Sequence, residues 1–185
     1  MEDYWSLWKD ASGEIFRLQL LNRYDVEPER QMFDTYQRVG KVDLSENQGF
    51  NNWLGKIKDK LDHGVRVINL NVVDLPLSEY MKFCIASYLI KRSEIGEEGL
   101  LIDRSIVSDI VKGNSDFIMF DRKVALEMLY DNNGRFLGTG RITRDLDTIA
   151  RYVRLEEQLL RVATPIPLFI ASKGISLAPS TSVKI

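Results

Sequence analysis

The sequence predicts an α/β domain, and three observations carry that reading. Residues 114–138, NSDFIMFDRKVALEMLYDNNGRFLG, contain apolar strand-like runs separated by a tight Asp-Arg reversal and by a turn at Asp131-Asn132-Asn133-Gly134. That pattern spells an antiparallel meander over 116–121, 123–130 and 135–142, with Phe117, Met119 and Leu126 on buried faces. The β-branched run VRVINLNVV, directly after Gly64, reads as a central strand. Between and beyond these strands lie segments whose apolar residues recur at three- and four-residue steps, the period of helices.

Taken in order, Trp5, Leu7 and Trp8 open a short amphipathic helix that ends near Ser12-Gly13. Phe16, Leu18 and Leu20 then alternate with Arg17 and Gln19, the period of a half-buried strand. A turn follows at Asn22. Pro28 and Gly40 bracket PERQMFDTYQRVG as a second helix that buries Met32, Phe33 and Tyr36. Phe50, Trp53, Leu54, Ile57 and Leu61 form the stripe of a third helix. Ser78, after Pro76, is the N-cap of a fourth in LSEYMKFCIASYLIKR. EIGEEG reads as an exposed acidic loop. LLIDRSIVSDIVKG fits either a short strand or a short helical turn. After the meander, RDLDTIARYVRLEEQLLRVA predicts a long helix with Leu146, Ile149, Val153 and Leu160 on its buried face, stopped by Pro165 and Pro167. The length favours a single domain, 1–165, and the aperiodic residues 166–185 read as a tail that is flexible or ordered by a partner.

Composition excludes several function classes. With 25 basic against 27 acidic residues the chain lacks the basic surplus of a general nucleic-acid binder, although a local basic face leaves nucleic acid open. One Cys and one His cannot build a structural zinc site, and neither a metal nor another cofactor is expected. Cys84 lies in the apolar KFCIASYLI and reads as a buried small hydrophobe. His63 precedes Gly64 at a helix end, a capping position favoured by the helix dipole. No G-x-S-x-G elbow accompanies the serines and aspartates, and the glycines of GRFLGTG are spaced as hairpin glycines, unlike a phosphate loop. No run approaches the ~18 apolar residues of a membrane span, and MEDYWSLWKD lacks the features of a secretion signal. A cytoplasmic protein without a membrane association is expected.

Two constellations could carry function. Asp103 followed by Asp121-Arg122-Lys123 matches the loose acidic-then-D-x-K spacing of metal-dependent nucleases, in which carboxylates hold Mg²⁺ and a lysine positions water. Solvated residues at a strand reversal give the same pattern. Arg144, Arg151, Arg154 and Arg161 fall within about a third of the circumference of the last predicted helix, where they could dock an acidic partner or a phosphate backbone. Interleaved Asp147 and Glu157 also fit an ordinary solvated face.

The succession FRLQLLNRYDV, GVRVINLNVVDLPLSEYMKF, SDFIMFD and MLYDNNGRFLG resembles an uncharacterised family found mainly in actinomycetes, whose genes often lie near XRE-type helix-turn-helix regulators. The likeness runs from Trp5 to about Pro165, with Ile118 and Met119 standing where the family usually has an aromatic. No catalytic residue is established for that family, so none is carried over. The C-terminal pattern is also similar to catalytically inactive phospholipase D-like domains. An active member needs His-x-Lys, and two residues after His63 stands Val65. Together these resemblances imply a layered fold, a mixed, mainly antiparallel sheet flanked by helices, and a noncatalytic interaction or regulatory module. Its partner would be a helix-turn-helix regulator or a second copy of the chain. The alternative is a metal-dependent phosphodiester-processing or nucleotide-binding enzyme using Asp103, Asp121 and Lys123.

Overall fold

The computed structural model describes residues 4–180. Helix α1 (Tyr4–Asp10) leads into strand β1 (Glu14–Gln19), and α2 (Glu27–Val39) and α3 (Gln48–Asp62) cross over to β2 (Arg66–Val73). A continuous helical stretch follows: α4 (Glu79–Cys84), a π-helical turn (Ile85–Leu89) and α5 (Ile90–Glu94). Next come β3 (Glu98–Asp103), α6 (Arg104–Val111), β4 (Phe117–Phe120), β5 (Val124–Tyr130) and β6 (Phe136–Thr143). The chain then forms α7 (Leu146–Leu160), the short β7 (Thr164–Pro165) and α8 (Ile166–Lys173).

The strands make one sheet in the order β6-β5-β4-β1-β2-β3-β7. Strands β1, β2 and β3 are parallel, because helical crossovers connect them. The meander β4-β5-β6 adds antiparallel to one side and β7 to the other. The expected mainly antiparallel sheet is therefore corrected to a mixed one with a parallel centre. VRVINLNVV occupies that centre, buried on both faces from Val67 to Val73, as parallel strands under helices must be.

One face of the sheet carries the larger apolar core. Phe16, Leu18, Ile68, Leu70, Ile102, Phe117 and Met119 meet Val107 and Val111 of α6 and Ile149, Tyr152, Leu155 and Leu159 of α7. Each such side chain contributes roughly 1.5–3 kcal/mol on burial. Phe117 and Tyr152 stack with ring centroids 4.1 Å apart.

The opposite face is divided. At one end Ile15, Val67 and Ile118 pack under α1 and α3. At the other, Val73 and Leu101 pack under Tyr36 of α2, Phe83 of α4 and Ile166 and Phe169 of α8.

Local signals explain most boundaries. Asn47 caps α3 by accepting from Phe50 N at 2.9 Å, and Ser78 caps α4 by accepting from Met81 N at 3.1 Å. Gly40 ends α2 in the left-handed region at φ 79°. His63 is the C-cap of α3. LLIDRSIVSDIVKG divides into β3 and α6, with Asp103 as the N-cap between them.

Three local expectations are corrected. Leu146 is 82% exposed because it is the first residue after the N-cap Asp145, and Tyr152, Leu155 and Leu159 take the buried face of α7 instead. EIGEEG is not wholly exposed, since Glu97 is buried against Arg92. Residues 166–180, read as a tail, include α8 and pack on the chain's own core, with Tyr36 Oη donating to the Leu177 carbonyl. Residues 181–185 lie outside the described residues. None of the described helices is long and apolar enough to cross a membrane.

Candidate functional site

Between the two apolar ends of the divided face runs a polar row. Alternation along β1 places Arg17 and Gln19 on this face with Ile15, and alternation along β2 places Asn69 and Asn71 there with Val67 and Val73. The parallel register sets Arg17 beside Asn69 and Gln19 beside Asn71. Asn69 is fully buried and Asn71 is 4% exposed. Neither Asn69 side-chain polar atom has a hydrogen-bond partner, and Asn71 Nδ2 also has none. Buried amides without partners are unusual enough in a native fold to require an explanation.

Above this row is a cavity of about 520 Å³, floored by Arg17, Gln19 and Asn71. That volume suits a small organic ligand. Aromatic side chains from several elements form its walls: Tyr24 after β1, Phe50 and Trp53 of α3, Tyr80 of α4, Tyr88 of the π-helical turn and Tyr130 of β5. Tyr24 and Tyr130 meet edge to face at 5.3 Å. The π-helical turn, a feature that recurs at functional sites, presents Tyr88 and Leu89 to this space.

Charge in the cavity is sparse. Arg17 is half-buried, and among the described residues no carboxylate lies within ion-pairing distance of its guanidinium. It donates a hydrogen bond to Tyr130, whose hydroxyl burial pushes up to about 12. Asp116 contributes to the field at Arg17, but its carboxylate already accepts from Leu20 N at 2.8 Å and from Tyr24 Oη at 2.5 Å. Arg92 also lines the cavity, with its charge balanced by Glu97.

Glu29 of α2 accepts from Tyr80 Oη at 2.6 Å. Burial raises its carboxyl above the ordinary range, and Tyr80 and Arg17 only partly offset this. Burial likewise pushes the Cys84 thiol far above its ordinary range, with the charge of Glu29 adding to the rise. This neutral thiol is a poor nucleophile.

The residues singled out by sequence lie elsewhere. Asp103 sits at the C-terminal end of β3 and accepts from Ser105 N at 3.0 Å. Asp121 sits at the opposite end of the sheet, where its backbone N–H donates to the Glu14 carbonyl at the start of β1. The separation is about a strand length, roughly 20 Å for six residues. Asp103 and Asp121 therefore do not converge, and Lys123 is an exposed residue of the turn. The Asp121 carboxylate accepts from the backbone N–H groups of Ser12, Gly13 and Glu14, which hold its pKa below the ordinary range despite partial burial. This fixes the strained turn in which Asp121 and Arg122 have φ near 53° and 54°.

Of the four arginines, Arg151 and Arg154 belong to the body of α7. Arg144 precedes the N-cap and Arg161 is the C-cap. Arg151 Nη1 donates to Asn114 Oδ1 at 2.9 Å, and Arg154 is exposed. Helix α7 covers the sheet face opposite the cavity, so these arginines are not part of it.

The cavity residues were missed because alternating Arg17 and Gln19 look like the solvent side of a strand. The available signal was Asn69 and Asn71 at i, i+2 within an otherwise apolar central strand.

No curated protein matches the chain. A solved structure of TrmBL2, an archaeal chromatin protein with a described mode of DNA binding, is similar at 15% identity and a TM-score of 0.46. The match covers 86% of this chain but 48% of that one, so the chain spans about half the length of TrmBL2. A family model described as "Domain of unknown function (DUF6879)" matches residues 2–171, and the chain belongs to that family.

Proposed function

We propose that this chain is a cytoplasmic, noncatalytic regulatory module that binds a small molecule in the cavity over the polar row. The observation that carries the reading is Arg17, a half-buried cation on the cavity floor without a carboxylate partner among the described residues. Buried charges are costly unless paired, and a ligand supplies the missing partner. The neutral state of Cys84 and the position of His63 on the exposed end of α3 support binding over catalysis.

In this reading the occupied cavity favours one arrangement of the helices that wall it, and a protein partner senses that arrangement. A helix-turn-helix regulator or a second copy of the chain fills that role, with Arg151 and Arg154 on α7 as contacts. The resemblance to inactive phospholipase D-like domains supports the regulatory class.

A thermal-stability screen with chemically diverse small molecules tests the binding step. Some compounds should raise the Tm of the wild type and lose that effect in Met128→Trp, which fills the cavity from β5. An absence of any stabilising compound, or equal shifts in the filled variant, would contradict the reading.

A further inference from the structure

The geometry points to an aromatic or heteroaromatic carboxylate, a planar monoanion, as the class of ligand that this cavity takes. The inference rests on the ligand-binding reading above and adds the chemistry of the ligand. A carboxylate matches the guanidinium fork of Arg17 with two parallel hydrogen bonds. Such a pair is strengthened by the low dielectric of a half-buried floor.

Charge arithmetic favours one negative charge over two. Among the described residues lining the cavity, Arg17 and Arg92 are the cations and Glu29 is the carboxylate; Arg92 is already balanced by Glu97, and Glu29 accepts from Tyr80 outside ion-pairing reach of Arg17. A phosphate dianion would leave a charge uncompensated in the same space as Glu29. No lysine lines the cavity to neutralise it.

The walls select planarity, because Tyr24, Tyr80, Tyr130, Phe50 and Trp53 offer ring faces and edges to an aromatic ligand. Gln19 adds a polar contact. It lies half-buried on the cavity floor, with Asn71 beside it in register. Its amide can donate to a ring heteroatom or to the second carboxylate oxygen. A neutral hydrocarbon would fill the volume but leave Arg17 without a carboxylate, the arrangement a charged site rejects most strongly.

Isothermal titration calorimetry at neutral pH with 2-naphthoate, 2-naphthamide and 2-naphthyl phosphate tests the assignment on the full chain. The carboxylate should bind wild type about 10-fold or more tightly than the neutral amide, and more tightly than the phosphate. Arg17→Met should remove the preference for carboxylate over amide, and Arg17→Lys should retain part of it. If Arg17→Met does not fold, the wild-type ranking and Arg17→Lys still decide the question.

Equal binding of amide and carboxylate, or tightest binding of the phosphate, would overturn the ligand class while leaving the cavity reading in place. A carboxylate preference that survives Arg17→Met would overturn the assignment to Arg17. Failure of all three naphthalenes, while other compounds give shifts blocked by Met128→Trp, would reject aromatic acids alone. Failure of every compound would reject the cavity reading itself.

Discussion

Arg17 and Asn69 are register partners across the parallel β1–β2 pair, on a sheet face that helices cover at both ends. A cation and an amide occupy positions that apolar residues would fill in a sheet built for stability alone. In the proposed reading, polar groups retained there at a cost mark the part of the fold that takes a ligand.

That cost can be measured at Asn69, whose amide oxygen and nitrogen both lack partners. Asn69→Leu is expected to be neutral or stabilising, by about 1 kcal/mol, since it removes two unsatisfied polar atoms and adds apolar volume. Urea denaturation should show an unchanged or higher midpoint. A clear drop would mean that the amide is satisfied within the fold and offers nothing to a ligand.

Glu156 gives a pH dependence at the far end of the sheet. It is fully buried and accepts from Arg122 Nη2 at 2.8 Å. Burial raises its pKa from 4.5 to about 7, with the nearby Glu14 adding to the rise and Arg122 opposing it. The folded state therefore holds a proton that the unfolded chain has released, and the associated stability is complete below pH 4.5 and lost as pH rises to about 7. Glu156→Gln should remove this contribution, on the order of 3 kcal/mol, so the difference between the two stability profiles grows across that window. Parallel profiles would contradict the assignment.

Exposure separates the leucines of α7. Leu146→Ala should change stability by less than about 0.5 kcal/mol because the side chain is 82% exposed. Leu159→Ala, at a fully buried position, should cost about 2–5 kcal/mol. Chemical denaturation of the two variants checks the pair, and similar losses would mean that α7 is seated differently.

Much of this architecture was legible in the chain. The meander lies within one residue of the predicted boundaries at both ends of all three strands, because apolar runs and turn residues are local signals. Ser78 and Gly40 act as the cap and stop their residue types suggest. The site was less legible because it is built by tertiary placement. Arg17 becomes a cavity-floor residue only when α2, α3 and α4 cover its side of β1. Asp103 and Asp121 form a plausible pair in sequence, but the reversal between parallel and antiparallel strands sends them to opposite ends of the sheet. Leu146 shows the limit of periodicity at a helix terminus, where the first residue lies beyond the packed face.

The proposed partner contact has its own consequence. Reversing Arg151 and Arg154 to Glu should weaken association with an acidic partner, more at low than at high salt, with folding stability nearly unchanged. A pull-down with a candidate helix-turn-helix regulator and a self-association assay measure this directly. Unaltered association in both would leave the arginines as solvated surface.

Under the proposal Arg17 awaits an anion, and its Nε–H resonance in ¹⁵N-resolved NMR reports whether one docks there. The resonance is assigned by its absence from Arg17→Lys and followed during titration with 2-naphthoate and 2-naphthamide. A saturable shift is expected with the carboxylate and little change with the amide. An Arg17 resonance that stays fixed while other cavity signals respond to 2-naphthoate would contradict it.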